Sequence, residues 1–227
     1  MQFSVITLFP DLVEQIKQFG VVGRAFQKES LKLTCINPRN FTTDNYQTID
    51  DKAYGGGPGM VMLAEPLYQA VQQAKAEFPK ARVIYLSPQG KPLKQAKLTE
   101  LASLDSVILL SGRYEGIDQR LIDSCVDEEI SVGDYVLSGG ELPAMLLIDG
   151  VARLCPGVLG HEDSAKQDSF TNELLDYPHY TRPQVWRDIA VPEVLVSGDH
   201  AAIAKWRDQI AKETTKAKRP DLLVKKP

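Results

Sequence analysis

The apolar positions in the first two thirds of the chain form short continuous runs that alternate with helical patterns. Runs rich in Val, Ile and Leu predict five strands, at 3–8, 31–36, 82–86, 106–111 and 129–132. Such runs are typical of a sheet that is covered on both faces. Apolar residues recur at helical spacing in four further segments, at 10–20, 65–78, 92–104 and 142–154. Strands that alternate with helices of this length predict an α/β fold with a mainly parallel sheet.

The pattern changes near residue 160. Residues 161–169 contain no large apolar side chain, which is typical of an exposed linker or an ordered loop. Further on, a helix is predicted after Asp199, which can cap it, with Ile203, Trp206 and Ile210 facing inward. We therefore predict an α/β domain at 1–160, a linker at 161–169 and a small, mostly helical domain at 170–227.

Composition narrows the class of protein. The chain has 227 residues, of which 43% are hydrophobic and 25% charged, as in ordinary globular proteins. It has no long apolar run for a membrane span, and its start lacks the pattern of a signal peptide. The three cysteines, Cys35, Cys125 and Cys155, form no CxxC pair, which disfavours a disulfide framework and a standard zinc site. We expect a protein of the reducing cytoplasm.

The charge distribution leaves two interpretations open. The net charge of -4 argues weakly against a nucleic-acid partner. Residues 205–227, however, carry eight basic and three acidic side chains. A basic segment on an acidic protein can bind phosphates, but a solvated helix face would give the same count.

Three loops rich in Gly and Ser follow predicted strands: SPQGKPL at 87–93, SGRYEGID at 111–118 and SVGDYVLSGGELPA at 131–144. Ligands of open α/β sheets bind beyond the carboxyl ends of the strands, and glycine lets the main chain approach them closely. Together the loops predict a main-chain pocket suited to adenine or adenosine, although any one of them could be an ordinary tight turn. The P-loop and GxGxxG motifs are absent, which disfavours P-loop and dinucleotide sites. The run YGGGPGM at 54–60 is interpreted as a mobile loop over a binding face, or as a passive loop.

Six strings, in order along the chain, closely resemble bacterial tRNA (guanine-N1)-methyltransferases: VITLFP, DDKAYGGGPGM, YLSPQGKPL, SGRYEGID, SVGDYVLSGGELPAM and DSFTNELLDYPHYTRP. The likeness runs from residue 1 to about residue 222. Many members continue with a further helical stretch where this chain has LVKKP, so the resemblance does not fix the size of the C-terminal lobe. The resemblance implies the trefoil-knot (SPOUT) fold and methylation of guanosine 37 in the anticodon stem-loop of tRNA. It also implies a homodimer whose active site is shared between subunits.

The resemblance further implies that the three loops bind S-adenosylmethionine. The matching positions are Leu86, Ser87, Pro88, Gly112, Tyr114, Gly116, Val132, Gly133, Tyr135, Val136, Leu137, Gly139, Gly140 and Pro143. Glu115 is interpreted as a further contact, or as a charge at a helix start, and Asp134 as a neighbour of the sulfonium or the cap of a turn. Mg²⁺ is also expected from the family, although the sequence shows no dedicated carboxylate cage.

The chemistry requires a base and a cation. N1 of guanine carries a hydrogen, and its removal spreads negative charge onto O6. By resemblance Asp168 is the general base and Arg153 stabilises O6. Because the pKa of a solvated aspartate is about 3.9, we predict that desolvation on tRNA docking raises it. From the residues alone, Asp168 could equally be a helix N-cap or a solvated charge, and Arg153 a cation at a helix C-terminus.

The predicted RNA contacts are side chains that stack on bases or pair with phosphates, and glycines of the mobile loop. They are Gly57, Gly59, His179, Tyr180, Arg182, Lys205 and Arg207. No histidine is a convincing metal ligand. Two other functions stay open: a trefoil-knot methyltransferase for a ribose 2′-hydroxyl, which the Asp168/Arg153 pair disfavours, and a noncatalytic RNA-binding or adenosine-sensing module.

Overall fold

The computed structural model describes residues 1–160 and 168–224. The chain separates into two compact units, Met1–Gly160 and His161–Pro227. Of the predicted linker, only Asp168 and Ser169 are described, because 161–167 lie outside the described residues.

The first unit is built on a five-stranded sheet, whose strands are β1 (Gln2–Ile6), β2 (Lys32–Ile36), β5 (Arg82–Pro92), β6 (Ser106–Ser111) and β7 (Glu128–Ser131). Their order in the sheet is β2-β1-β6-β5-β7. Each neighbouring pair is parallel. A separate antiparallel pair joins β3 (Asp50–Asp51) to β4 (Val61–Met62). The predicted α/β class with a mainly parallel sheet is confirmed.

Helices cover both faces of this sheet. They are α1 (Pro10–Glu14), α2 (Gly20–Gln27), α3 (Ala64–Glu77), α4 (Gln95–Ala102), α5 (Gln119–Cys125) and α6 (Glu141–Ala152). Apolar residues of α1, α2, α4 and α6 form one buried cluster, and those of α3 and α5 form the other. Successive residues of β6 alternate between the clusters, Val107 and Leu109 in the first, Ile108 and Leu110 in the second. This double burial explains why the strands are apolar throughout.

The prediction of one helix over 10–20 was wrong. Helix α1 ends at Glu14, and a 3₁₀ turn over Gln15–Lys17 follows it. Gly20 has a φ of 68° and opens α2 instead of ending a helix. A left-handed residue interrupts a right-handed helix, and only glycine adopts it at no steric cost. The helices α2 and α5 were not predicted.

The second unit contains a short hairpin and a long helix. Strands β8 (Val185–Trp186) and β9 (Ile189–Ala190), which were not predicted, are antiparallel. Helix α7 spans Glu193–Val196, and α8 spans His200–Lys218. The predicted cap of α8 is present, since Asp199 Oδ1 accepts hydrogen bonds from the amides of Ala201 and Ala202 at 2.9 and 3.0 Å. Among the described helices of both units, none is long and apolar enough to cross a membrane.

Candidate cofactor site and predicted catalytic residues

The three predicted loops meet at one edge of the sheet. Parallel strands place their carboxyl ends at the same edge, and here those ends enclose a cavity of about 200 Å³. Every predicted cofactor residue lines this cavity except Asp134, which is exposed. Asp134 follows Gly133 in the turn, and its predicted contact with the cofactor stays a prediction. The remaining lining residues are Tyr85, Arg113, Ile130, Ser131 and Ser138.

The first loop is a bulge within a strand. Residues Ile84 to Leu86 of β5 pair with β7, and the pairing resumes only at Lys91 and Pro92 with a shifted register. Between them, the Ser87 hydroxyl accepts a hydrogen bond from the Gln89 amide at 3.1 Å. A Cβ at Gly90 would lie 2.4 Å from the backbone nitrogen of Ile130. Glycine is therefore required where the bulge returns to β7.

The second and third loops are bonded to each other through their main chains. The Gly140 amide donates to the Gly112 carbonyl at 2.9 Å, and Arg113 forms an isolated antiparallel bridge with Gly139. A Cβ at Gly140 would lie 2.7 Å from Ser111 Cα. The glycines of SGRYEG and SGGEL thus allow two backbones to approach at the edge of the cavity.

One ion pair, between the half-buried Arg113 and the buried Glu141, supports these two loops. Arg113 Nε lies 2.9 Å from Oε2 of Glu141, although the two atoms are not aligned as a hydrogen bond. Glu141 is only 1% exposed, and its Oε1 accepts a hydrogen bond from Thr7 Oγ1 at 2.9 Å. Arg113 also donates from Nη1 to the Ser138 carbonyl at 3.1 Å and lies over the Phe9 ring, 4.4 Å from its centroid. No sequence pattern indicates this network, because Thr7 and Glu141 are 134 residues apart.

Two tyrosines of the cavity remain neutral at physiological pH. Burial raises the pKa of Tyr85, and the charge of Glu129 adds to the effect. Burial and a hydrogen bond to Asp50 raise the pKa of Tyr114, whose backbone has a φ of 60°. Each phenol therefore offers a hydrogen-bonding hydroxyl rather than a charge.

The glycine-rich loop at 54–60 adjoins the second cavity loop. The Met60 carbonyl accepts a hydrogen bond from the Glu115 amide at 3.0 Å, and the Met62 amide donates to the Gly116 carbonyl at 2.9 Å. A Cβ at Gly59 would lie 2.5 Å from Cγ of Glu115. The end of this loop is therefore hydrogen-bonded to the second cavity loop.

The two predicted catalytic residues lie in different units. Arg153 follows α6 as its C-cap and is exposed, with its amide donating to the Asp149 carbonyl at 3.1 Å. Asp168 is exposed in the second unit, where its carbonyl accepts from the Thr171 amide at 3.3 Å. No described helix begins at Phe170, so Asp168 is not an N-cap there. Asp168 lines a second cavity of about 180 Å³.

The predicted RNA contacts of the second unit include an aromatic and charged cluster. The guanidinium of Arg207 lies over the Tyr177 ring, 4.7 Å from its centroid. The centroids of the Tyr177 and His179 rings are 4.9 Å apart. His179 Nε2 is 2.8 Å from Oδ2 of Asp176. The sequence reasoning did not assign roles to Tyr177 and Asp176, although both lie in the DYPHYTRP string.

The other predicted RNA contacts are mostly exposed. Lys205, Arg182 and Tyr180 are exposed, and the Tyr180 ring lies 6.5 Å from that of Trp206. In residues 1–160 and 168–224, no three His, Cys, Asp or Glu side chains form a group that could hold a metal ion.

Comparison with known proteins gives one consistent result. The family model described as tRNA (Guanine-1)-methyltransferase TrmD matches residues 1–225. A tRNA (guanine-N(1)-)-methyltransferase from Alcanivorax borkumensis is 58% identical over 223 residues, which cover 97% of this chain and 84% of the relative. The proteins of that name from Pseudomonas fluorescens SBW25 and Cupriavidus necator are each 58% identical, over 98% of this chain and 90% and 88% of the relatives.

Proposed function

Because the chain belongs to the tRNA (guanine-N1)-methyltransferase family, we propose that it transfers a methyl group from S-adenosylmethionine to N1 of guanosine 37 in tRNA. Membership of this family confirms the resemblance. The trefoil-knot (SPOUT) fold is the fold of this family. The observation that carries the proposal is the meeting of all three predicted loops around one cavity.

The residues of the cavity fit this cofactor. Several lining positions are glycines, Gly112, Gly116 and Gly133 among them, which lets the main chain approach an adenine closely, while apolar residues such as Leu86 and Leu137 suit its ring. Bound there, S-adenosylmethionine would supply a methyl group activated on a sulfonium. Glu115 supplies a negative charge for that cation, because Arg113 is already paired with Glu141.

Asp168 and Arg153 would carry out the proton and charge chemistry. Asp168 removes the N1 proton, and the guanidinium of Arg153 stabilises the charge that develops on O6. We assign no Mg²⁺ site, since the described residues contain no cluster of ligands for it.

A homodimer would complete the site. Four apolar side chains of α1, α6 and the segment before α1 are exposed in the first unit: Phe9 by 48%, Leu12 by 39%, Leu142 by 57% and Leu146 by 47%. We call them the α1–α6 patch. Exposed apolar groups of this size are typical of protein interfaces, and a second copy of the chain is the occupant that a shared active site requires.

The partner is tRNA, bound through its anticodon stem-loop. Lys205, Lys212 and Lys216 recur at i, i+7 and i+11, which places them on one face of α8. Such a stripe suits a phosphate backbone, and the Tyr177–His179–Arg207 cluster suits unpaired bases. We propose that this takes place in the cytoplasm, where the free cysteines stay reduced.

The test uses transcripts and a matched pair of variants. Labelled methyl transfer is measured on tRNA with guanosine or adenosine at position 37, for the wild type, Asp168→Asn and Glu193→Gln. Glu193 is an exposed carboxylate of the same unit, so the Glu193→Gln variant controls for the loss of one negative charge. We expect transfer only to guanosine 37, and a rate for Asp168→Asn about 100-fold or more below wild type. The calorimetric Kd for S-adenosylmethionine should not change. Label on the adenosine transcript, or full activity of Asp168→Asn, would refute the proposal.

A further inference from the structure

The cavity contains two charged side chains whose effects on a cationic ligand are opposite. Among the residues that line it, all within the described part of the chain, only Arg113 and Glu115 carry charge. We propose that the ion pair between Arg113 and the buried Glu141 makes the cavity discriminate between S-adenosylmethionine, a sulfonium cation, and its demethylated product, a neutral thioether. The inference rests on the proposed function, because it takes that cofactor as the ligand.

Glu141 is a charged side chain in the interior of the first unit, a position in which a charge is costly. Its carboxylate is 1% exposed and is held by the fully buried hydroxyl of Thr7. Removing a carboxylate from water costs several kcal/mol, and apolar replacements of buried ion pairs are often neutral or stabilising. Stability alone is therefore a weak reason for Glu141, and its influence on Arg113 is a stronger one.

Arg113 needs a counter-charge if a cation is to bind beside it. Its backbone and guanidinium join the second and third loops, through the bridge to Gly139 and the hydrogen bond to Ser138. This position fixes a positive charge in the cavity wall. Glu141 cancels that charge from behind, so the cavity presents the negative charge of Glu115 to the ligand. Without Glu141, Arg113 would repel the sulfonium and leave the thioether unaffected.

The effect is large enough to measure. A unit charge about 12 Å from a cation, at an effective dielectric constant of about 20, changes a binding constant by about tenfold. The useful quantity is the ratio of the Kd for S-adenosylmethionine to the Kd for S-adenosylhomocysteine. General damage to the cavity weakens both ligands and leaves this ratio unchanged, whereas a change in charge alters it.

The experiment measures both Kd values by calorimetry on the full chain. For Glu141→Gln we expect the ratio to rise about tenfold. For Glu77→Gln, an exposed carboxylate at the end of α3, we expect no change, which controls for net charge. Thr7→Val removes the hydrogen bond to Glu141 but no charge, so it should affect both ligands equally.

Variants of Arg113 keep the proposal falsifiable if Glu141→Gln does not fold. Arg113→Met leaves the charge of Glu141 uncompensated and should lower the ratio below that of the wild type. The double variant Arg113→Met/Glu141→Gln carries neither charge and should return it to within about twofold of wild type. An unchanged ratio in both single variants would overturn the proposal and leave the pair a purely structural role. Failure of the wild type to bind either ligand would instead refute the proposed function.

Discussion

Replacement of Thr215 by valine tests how the second unit holds Asp168. The Thr215 side chain is fully buried in α8. Its hydroxyl donates to the Ala211 carbonyl at 2.7 Å and accepts from the Leu175 amide at 2.9 Å. The segment from Asp168 to Tyr177 has no regular secondary structure, so this bond fixes it to the helix. A second bond closes the segment on itself, from the Asp176 amide to the Ser169 hydroxyl at 2.9 Å.

The expected loss of stability follows from these contacts. Valine keeps the branched shape and nearly the helix propensity of threonine, but it leaves the half-buried Leu175 amide without its acceptor. An unsatisfied donor of this kind costs about 1–3 kcal/mol. We expect the free energy of unfolding to fall by that amount in urea titrations.

The change should also separate catalysis from cofactor binding. Thr215→Val should slow methyl transfer at saturating substrates, because Asp168 is less well positioned, and leave the Kd for S-adenosylmethionine unchanged, because the cavity lies in the first unit. Thr215→Ser keeps the hydroxyl and should restore the rate. Thr214→Val makes the same chemical change one position earlier. If Thr215→Val matches Thr214→Val in both stability and rate, the positioning role of the hydroxyl is wrong.

Three further predictions concern the first unit. Hydrogen bonds from Arg82 and, to a lesser extent, Lys97 lower the pKa of Glu100 from 4.5 to about 2, so its contribution to the stability of the fold is complete above pH 4.5 and is lost as the pH falls towards 2. Urea titrations of the wild type and Glu100→Gln should therefore show a difference in unfolding free energy that vanishes over that range, and a constant difference would contradict this prediction. Gly140→Ala should weaken cofactor binding in calorimetry at least tenfold, because its Cβ has no room against the second-loop backbone, and near-wild-type affinity would show that the loops can separate. Leu146→Asp should give a monomer in analytical ultracentrifugation, since it places a charge in the α1–α6 patch, whereas an intact dimer would place the interface elsewhere.

Local patterns predicted the sheet and much of the site. The strands were found because both faces are buried, and α8 was found because Asp199 is a strong cap. The hairpin of β8 and β9 was missed because each strand has two residues, too few for any periodicity. The early end of α1 and the start of α2 at Gly20 were missed, because Gly20 was interpreted as a helix end although this residue opens the next helix.

Contacts between distant segments limited the prediction of the site. The family strings identified which loops line the cavity, but a sequence pattern does not show that Glu141 faces Arg113 or that Gly90 touches the β7 backbone. Asp134 was included because it is adjacent to Gly133, and it is exposed outside the lining of the cavity. Asp168 and Arg153 stay predictions, since each is described only within its own unit.

The most direct measurement of the central claim is the identity of the methylated nucleoside. tRNA with guanosine 37 is incubated with the protein and S-adenosylmethionine, digested to nucleosides, and separated by liquid chromatography with fragmentation in a mass spectrometer. We expect 1-methylguanosine, formed by the wild type and absent with Asp168→Asn. A methyl group on ribose, on another guanine nitrogen or on no nucleoside would contradict the assignment of the cavity and of its base.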